Sequence, residues 1–307
     1  MTNPVLVIAE KEFGDAVRSK RLWGMTLVLV ALFALMVFSL SIQATLQSDT
    51  SQQIVILDPL SKILVSLSSA ISFVAPLLGL SLGYDAISGE REKGTMKLLL
   101  VRPVFRDQLI NGKVLGALVT ISFSLGLSGL ILIGFSSAFL GATLDLDIVL
   151  RLIIYLLLSI LLSMSYYSIS LVFSAKFEKS SRSLLLSIAV WALFTFVIPL
   201  IAFLFVLSVL GPPPPPQSGE FEEWLVKSSE IQSFIVFATP NHHFSRVADS
   251  ILLARAAMES QGLGISEIPE TIAEVVTYNW ASIIMLILFF AVPCLISYAI
   301  FVSAEKE

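Results

Sequence analysis

Charge is scarce in this sequence. Asp, Glu, Lys and Arg make up 14% of its 307 residues, against about 25% in ordinary soluble domains, and none falls in the middle of a long apolar run. Ion-coupled pumps and proton relays place ionisable groups at membrane depth, so this gap argues against secondary transport and for energy supplied from elsewhere. A single cysteine, Cys294, rules out an intrachain disulfide. The only histidines are the adjacent pair His242-His243. They have neither a His at i+4 for zinc nor Cys or Met partners nearby for copper, and read as an ordinary loop pair. No His-Glu-x-x-His, Ser/His/Asp grouping or paired intramembrane carboxylates occur, so no catalytic residue, metal or cofactor is expected on this chain. The run Gly89-Glu90-Arg91-Glu92-Lys93-Gly94-Thr95 imitates the glycine spacing of a phosphate-binding loop. It lacks the Lys after the second glycine and a preceding strand, so ATP, if used, is bound by another chain.

What is abundant is apolar sequence. Hydrophobic residues make up 56% and the mean hydropathy is +0.90, arranged in blocks of about 20 or more residues, the length that crosses a ~30 Å hydrocarbon core. Six spans are read, at about residues 22–42, 63–83, 114–140, 152–173, 184–210 and 280–302. Pro76, Pro199 and Pro293 fall inside the second, fifth and sixth. They are taken as kinks, because neighbouring helices or Ser/Thr side chains can re-satisfy the freed carbonyl. Fourteen of the nineteen basic residues lie on one side, in the amino-terminal segment, the loops after spans two and four, and at Lys306. By the positive-inside rule both termini are cytoplasmic. The first 21 residues mix acids with bases and precede an apolar run longer than a signal core, so no cleavable signal is expected. The net charge of −4 averages a basic inner face with an acidic outer loop and implies no nucleic-acid partner.

Residues 4–21 read as an amphipathic helix on the inner membrane surface, with Leu6, Ala9, Phe13, Ala16 and Val17 on one face and Glu10, Lys11, Asp15 and Arg18 opposite. Spans one and two then occupy 22–83, a charged cytoplasmic segment 84–113, spans three to five 114–210, an outer segment 211–279, and span six 280–302. The outer segment opens with Gly211 and Pro212–Pro216, read as a stiff polyproline strut. The apolar stretch 231–238 is too short to span and is placed at the outer interface or over a pathway, followed by an amphipathic helix over 245–258. There is no internal repeat.

Two features invite a functional reading. Ser159, Ser163, Tyr166, Ser170 and Ser174 form a polar stripe on span four, and Ser66, Ser69 and Ser72 mark span two. Such small residues serve helix–helix packing, as do Gly79 with Gly83 and Gly112 with Gly116, or they line a pathway. The segment 84–113 interleaves Asp85, Glu90 and Glu92 with Arg91, Lys93 and Lys97, although topology alone requires no acids. Gly94-Thr95 followed by residues 96–101 reads as a helix start that Pro103 ends. A soluble partner would grip here. Replacing Glu90, Arg91 and Glu92 with Ala is expected to spare insertion, because exposed ion pairs add little stability, and to weaken docking, which interface charges set.

The run from Ile87 to Thr95, continued by Leu98–Leu100, Arg102-Pro103, Arg106 and Gly112-Lys113, resembles the signature of ABC-2 type permeases, the membrane subunits of ATP-binding-cassette exporters. The surface helix, the six-span layout and the long last outer loop extend that resemblance over essentially the whole chain. It implies an all-α integral membrane protein with a type V exporter-like fold. It also implies pairing with a second permease copy or close relative, and one ATPase subunit, carrying ATP and Mg, under each. Ser88, Gly89, Glu90, Arg91, Glu92, Lys93, Gly94, Thr95, Met96, Lys97, Arg102 and Pro103 would form the docking coupling segment. Spans two and five would line the central path, with Ser66, Ser69, Ser159, Ser163, Tyr166 and Ser170 as candidate lining. Fused family members carry the ATPase on the same chain; here a separate ATPase is expected. An uncharged dimer cleft favours a hydrophobic or amphipathic substrate, although relatives are also associated with sodium extrusion, polysaccharide export and copper-enzyme maturation. One alternative is a mechanotransmitting subunit acting on an extracytoplasmic partner at 211–279, tested by deleting 212–274. The lesser alternative is a stand-alone channel or carrier.

Overall fold

The computed structural model describes residues 3–47, 59–94, 105–140, 146–252 and 271–303, and among them there are helices and no strand. In chain order these are α1 (Pro4–Arg18), α2 (Lys20–Gln47), α3 (Pro59–Gly83), α4 (Ser88–Glu92), α5 (Arg106–Leu140), α6 (Leu146–Lys176), α7 (Ser180–Ala192), α8 (Ile198–Leu210), α9 (Gly219–Val236), α10 (Pro240–Leu252), α11 (Ile272–Tyr278) and α12 (Trp280–Ser303). A π turn, Leu193–Val197, joins α7 to α8 just before Pro199. Six stretches are long and apolar enough to cross a membrane, on α2, α3, α5, α6, α7–α8 and α12. The third begins earlier than its apolar run. Residues 106–113, read as loop, are the first two turns of α5, with Asp107 in its first turn favourably placed against the helix dipole.

The fourth span, α6, is the axis of the bundle and packs against α3 and α12, with α5, α7 and α10 around it. Its composition explains this. Ser159, Ser163, Ser165, Ser168, Ser170 and Ser174 are all buried, and small side chains let neighbouring backbones approach. Several hydroxyls are satisfied within the helix: Ser159 Oγ donates to the Tyr155 carbonyl at 2.8 Å and Ser163 Oγ to that of Ser159 at 3.0 Å. The facing helix α3 presents Gly79 and Gly83, where an added Cβ would stand 2.0 Å from the Ser163 carbonyl oxygen and 2.7 Å from that of Tyr167. The same device seats α1 on α5, because a Cβ on Gly112 would meet Ile8 at 2.6 Å and one on Gly116 would meet Glu12 at 2.7 Å. Consequently the face of α1 that packs on α5 centres on Ile8, Ala9 and Glu12, and Leu6 stays 58% exposed on the outside of the helix.

The chain runs helically through Pro76 and Pro293. A proline inside a helix removes the N–H that the carbonyl four residues earlier would accept; here those carbonyls belong to Ser72 and Phe289. Another element lies beside each. Asn241 Nδ2 donates to the Ser72 carbonyl at 3.2 Å, and Ser168 Oγ, whose one proton goes to the Ser165 carbonyl at 2.8 Å, stands 3.4 Å from the Phe289 carbonyl.

The segment after α8 folds back onto the bundle. The chain turns back through Pro212–Pro216, where Ser218 N donates to the Pro215 carbonyl at 2.9 Å, and α9 descends along α8 with Trp224 Nε1 bonded to the Gly211 carbonyl at 3.3 Å. Prolines suit this reversal because they have no N–H to leave unpaired. The 231–238 stretch forms the end of α9 and the turn into α10, beside Thr195 and Pro199 midway along the fifth span. Helix α10 then returns, buried against α6, α12 and α3 through Phe244, Val247, Ala248, Ile251 and Leu252. Tyr166 OH donates to Asn241 Oδ1 at 2.5 Å at its start, and Arg151 donates to the Ile251 carbonyl at 2.9 Å at its end. Those two α6 residues are about 22 Å apart at 1.5 Å per residue. The α9–α10 pair is thus a helical hairpin reaching deep into the bundle. Helix α10 begins at Pro240, five residues before the sequence-predicted start, and residues 253–258 of that predicted helix lie outside the described residues.

Candidate functional site

Most of the described basic residues collect at one end of the bundle, where α1, α4, the start of α5 and the ends of α3 and α6 meet. The turn from Tyr84 to Ile87 leads into α4, and Ser174 of α6 anchors it. The Ser174 hydroxyl oxygen accepts from the Ile87 and Ser88 N–H groups at 2.9 and 3.0 Å. Arg91 donates to the Ala175 carbonyl at 2.8 Å, and the Glu92 carboxylate accepts from Ser180 N at 3.2 Å. Glu90 faces inward, its carboxylate 3.7 Å from Lys113 Nζ and 3.8 Å from Lys11 Nζ. Lys113 Nζ also lies 2.7 Å from Glu12, and Arg21 lies 2.5 Å from Asp85. A cavity of about 330 Å³ opens among Lys11, Glu12, Arg21, Asp85, Glu90 and Lys113. Burial works to lower the Lys11 pKa, yet Glu12, Glu90 and Asp15 outweigh it and hold it above its usual value.

This geometry changes how the charged run is understood. Ser88 and Gly89 are buried, Glu90 and Arg91 half-buried, and Glu92, Lys93 and Gly94 exposed. Glu90, Arg91 and Glu92 therefore hold the segment against α1, α5, α6 and α7, and are not merely exposed ion pairs. Gly94 has φ +70°, in the left-handed region that favours glycine. Thr95, Met96, Lys97, Arg102 and Pro103, with the predicted helix over 96–101, lie outside the described residues.

Of the candidate lining residues, Ser159, Ser163, Tyr166 and Ser170 are buried within the single chain. Ser170 Oγ is 2.8 Å from Ser187 Oγ. The side chains of Ser66 and Ser69 lie outside the described residues. Tyr166 belongs to a junction centred on Asn241, which accepts from Tyr166 and donates to the Ser72 carbonyl and, at 3.4 Å, to Thr195 Oγ1. One side chain at the hairpin tip thus touches spans two, four and five. Beside it a cavity of about 360 Å³ is lined by Ser72, Phe73, Thr195, Thr239, Asn241 and His242. His242 and His243 occupy the first turn of α10, not a loop. His243 Nε2 is 2.8 Å from the Phe237 carbonyl. Burial first, then neighbouring positive charge, lowers the His242 pKa to about 4, and burial lowers that of His243. Among the described residues no group of three or more His, Cys, Asp or Glu is arranged to hold a metal ion.

Sequence reasoning did not single out Glu12, Lys113 or Asn241 as site residues. Lys113 entered it as a basic residue for topology and, with Gly112, as part of the permease-like run, without a partner assigned to it. Pro76 signalled that the Ser72 carbonyl needed a donor, but nothing local pointed to a residue 169 positions away.

Comparison with known proteins agrees with this architecture. The chain is 32% identical over 213 residues to a probable ABC transporter permease protein NosY of Stutzerimonas stutzeri, covering 67% of this chain and 72% of the relative. It is 37% identical over 137 residues to the protein of the same description from Pseudomonas aeruginosa, covering 45% of each. A family model described as ABC-2 family transporter protein matches residues 6–305. With six apolar spans and that match over nearly its whole length, the chain is a multi-pass permease subunit of the cell membrane and belongs to the ABC-2 family of transporter proteins.

Proposed function

We propose that this permease works with both termini in the cytoplasm, pairs with a second copy or close relative, and is driven by a separate ATPase docked at its basic end. ATP-driven closure of the ATPase pair tilts the spans and moves a hydrophobic or amphipathic substrate outward between spans two and five. The observation that carries the pathway is the outward face of α9. Trp224 is level with the end of span five through its bond to Gly211, and Glu230 lies six residues further down the helix, about 9 Å, with its side chain exposed. An exposed carboxylate at that depth is costly against lipid, so this face borders water. Phe196, Leu200 and Leu204 on the same span are 52%, 56% and 54% exposed. A second copy facing them would enclose an aqueous vestibule with apolar walls, suited to an amphipathic substrate. The exposed Glu92, Lys93 and Gly94 are the described part of the docking surface.

The test is reconstitution of the purified permease with its co-purifying ATPase in lipid vesicles, following ATP-dependent movement of a fluorescent phospholipid and of a cationic amphiphilic dye. Movement that stops in a Lys93→Glu variant, with normal insertion, supports the export reading. ATPase stimulation with no movement of either probe favours the second reading, in which the subunit passes force to an extracytoplasmic partner. That reading draws on the hairpin, which Asn241 ties to spans two, four and five while its polyproline turn faces away from the basic end. Deleting 212–274 cannot test it, because α9 and α10 belong to the bundle; replacing Pro212–Pro216 with a Gly/Ser run leaves both helices in place. The stand-alone channel is set aside by membership of a permease family.

A further inference from the structure

We infer that Lys113 is a positioning residue that clamps the surface helix α1 and the docking segment onto span three, so that displacement of either is delivered to α5. The inference rests on the reading that a separate ATPase docks at the basic end. Three elements far apart in sequence converge on one ammonium. Lys113 rises from α5 with its side chain 3% exposed, Glu12 comes from α1 at 2.7 Å, and Glu90 comes from α4 at 3.7 Å. A buried ammonium is strongly unfavourable without its partners, and two carboxylates this close repel each other without it. Lys11 reaches the same two acids, at 3.7 and 3.8 Å, but its side chain is 51% exposed, where screening by water and salt weakens its pull.

The clamp is stiff on one side and yielding on the other. Gly112 and Gly116 press the α1 backbone onto α5, where even one added carbon on either would clash with Ile8 or Glu12, so the short Lys113–Glu12 contact cannot swing. The Glu90 contact is longer and borders the 330 Å³ cavity, which leaves α4 room to shift. Helix α4 has a second attachment, to α6 through Ser174 and the Ala175 carbonyl. A push on α4 therefore reaches α6 through hydrogen bonds and α5 through Lys113. The α5 branch depends on charge, so substitution at Lys113 should sever it and leave the α6 branch in place.

The experiment uses the full-length permease with Cys294→Ser and spin labels at Glu10→Cys and Lys93→Cys, both exposed positions, read by pulsed electron resonance. The parent should give a narrow distance distribution, Lys113→Met a broad or displaced one, and Lys113→Arg one like the parent. In the co-purified complex, Lys113→Met should lower the maximal permease-stimulated ATPase rate by about tenfold, within the range of coupling between linked sites. Its KM for ATP should be unchanged, and Lys113→Arg should restore the rate. A narrow distribution together with full stimulation in Lys113→Met overturns the clamp. If Lys113→Met fails to insert, Glu12→Gln, which keeps the Glu90 contact, should give the same loss in weaker form, and parental behaviour in that variant overturns the proposal. Absence of any co-purifying ATPase sinks the docking reading, while the distance measurement still decides whether the clamp exists.

Discussion

Pro76 and Asn241 should be energetically coupled although 165 residues separate them, because Pro76 frees the carbonyl that Asn241 serves. In the parent protein Pro76 offers no N–H to Ser72, and Asn241 Nδ2 supplies the donor at 3.2 Å. Asn241→Leu keeps much of the volume but removes the amide, leaving both the Ser72 carbonyl and the Tyr166 hydroxyl without that partner. An orphaned buried polar group costs about 1–3 kcal/mol, whereas interhelical hydrogen bonds measured in membrane proteins average about 0.6 kcal/mol. Two losses between those limits give about 2 kcal/mol for Asn241→Leu. Pro76→Ala restores an N–H to Ser72 from within α3, so in that background the amide serves one fewer group. The double variant should then be about 1 kcal/mol more stable than the sum of the single effects, a clear departure from additivity. Denaturant titration of the full-length protein in bicelles would measure this through tryptophan fluorescence. Trp191 is a local reporter, since its ring lies 5.2 Å from that of Phe73, next to Ser72. Additivity within about 0.3 kcal/mol would refute the assignment of Asn241 as the substitute donor.

Three further outcomes follow from the same geometry. Gly79→Leu should prevent close packing of α3 on α6, since even one added carbon would meet the Ser163 carbonyl; the cost, more than about 3 kcal/mol, should appear as loss of folded protein on size-exclusion chromatography. Gly126→Ala, with nothing within 4 Å of its added carbon, serves as the control and should be neutral or stabilising by up to about 1 kcal/mol. Because burial holds the pKa of His242 near 4 and lowers that of His243, the unfolded chain, with histidine near 6.5, binds protons that the folded one does not. Stability from these groups is thus complete above about pH 6.5 and declines as pH falls towards about 4. Thermal unfolding should show a smaller acid loss in His242→Gln, by about 1 kcal/mol after allowing for partial solvent access; equal slopes would count against it.

What the sequence determined by itself were the properties that depend on composition and local period. Six apolar blocks long enough to cross a bilayer dictate six helices, because a backbone in hydrocarbon must satisfy its own hydrogen bonds. The pairs Gly79/Gly83 and Gly112/Gly116 and the serines of span four marked surfaces of close approach, since only small side chains permit it. Pro76 and Pro293 announced two carbonyls in need of donors. The tertiary structure decided which partners answered those needs. Asn241 serves the carbonyl freed by Pro76, the α9–α10 hairpin reaches mid-bundle, and Glu90 turns inward to Lys113 and Lys11. Periodicity ranks Leu6 with Ala9 on an apolar face of α1, but which residues meet α5 is set by Gly112 and Gly116, which admit Ile8 and Glu12. A donor's need is local and can be read from one residue. Its partner is chosen by which helices fold against each other, and no local pattern encodes a contact across more than a hundred residues.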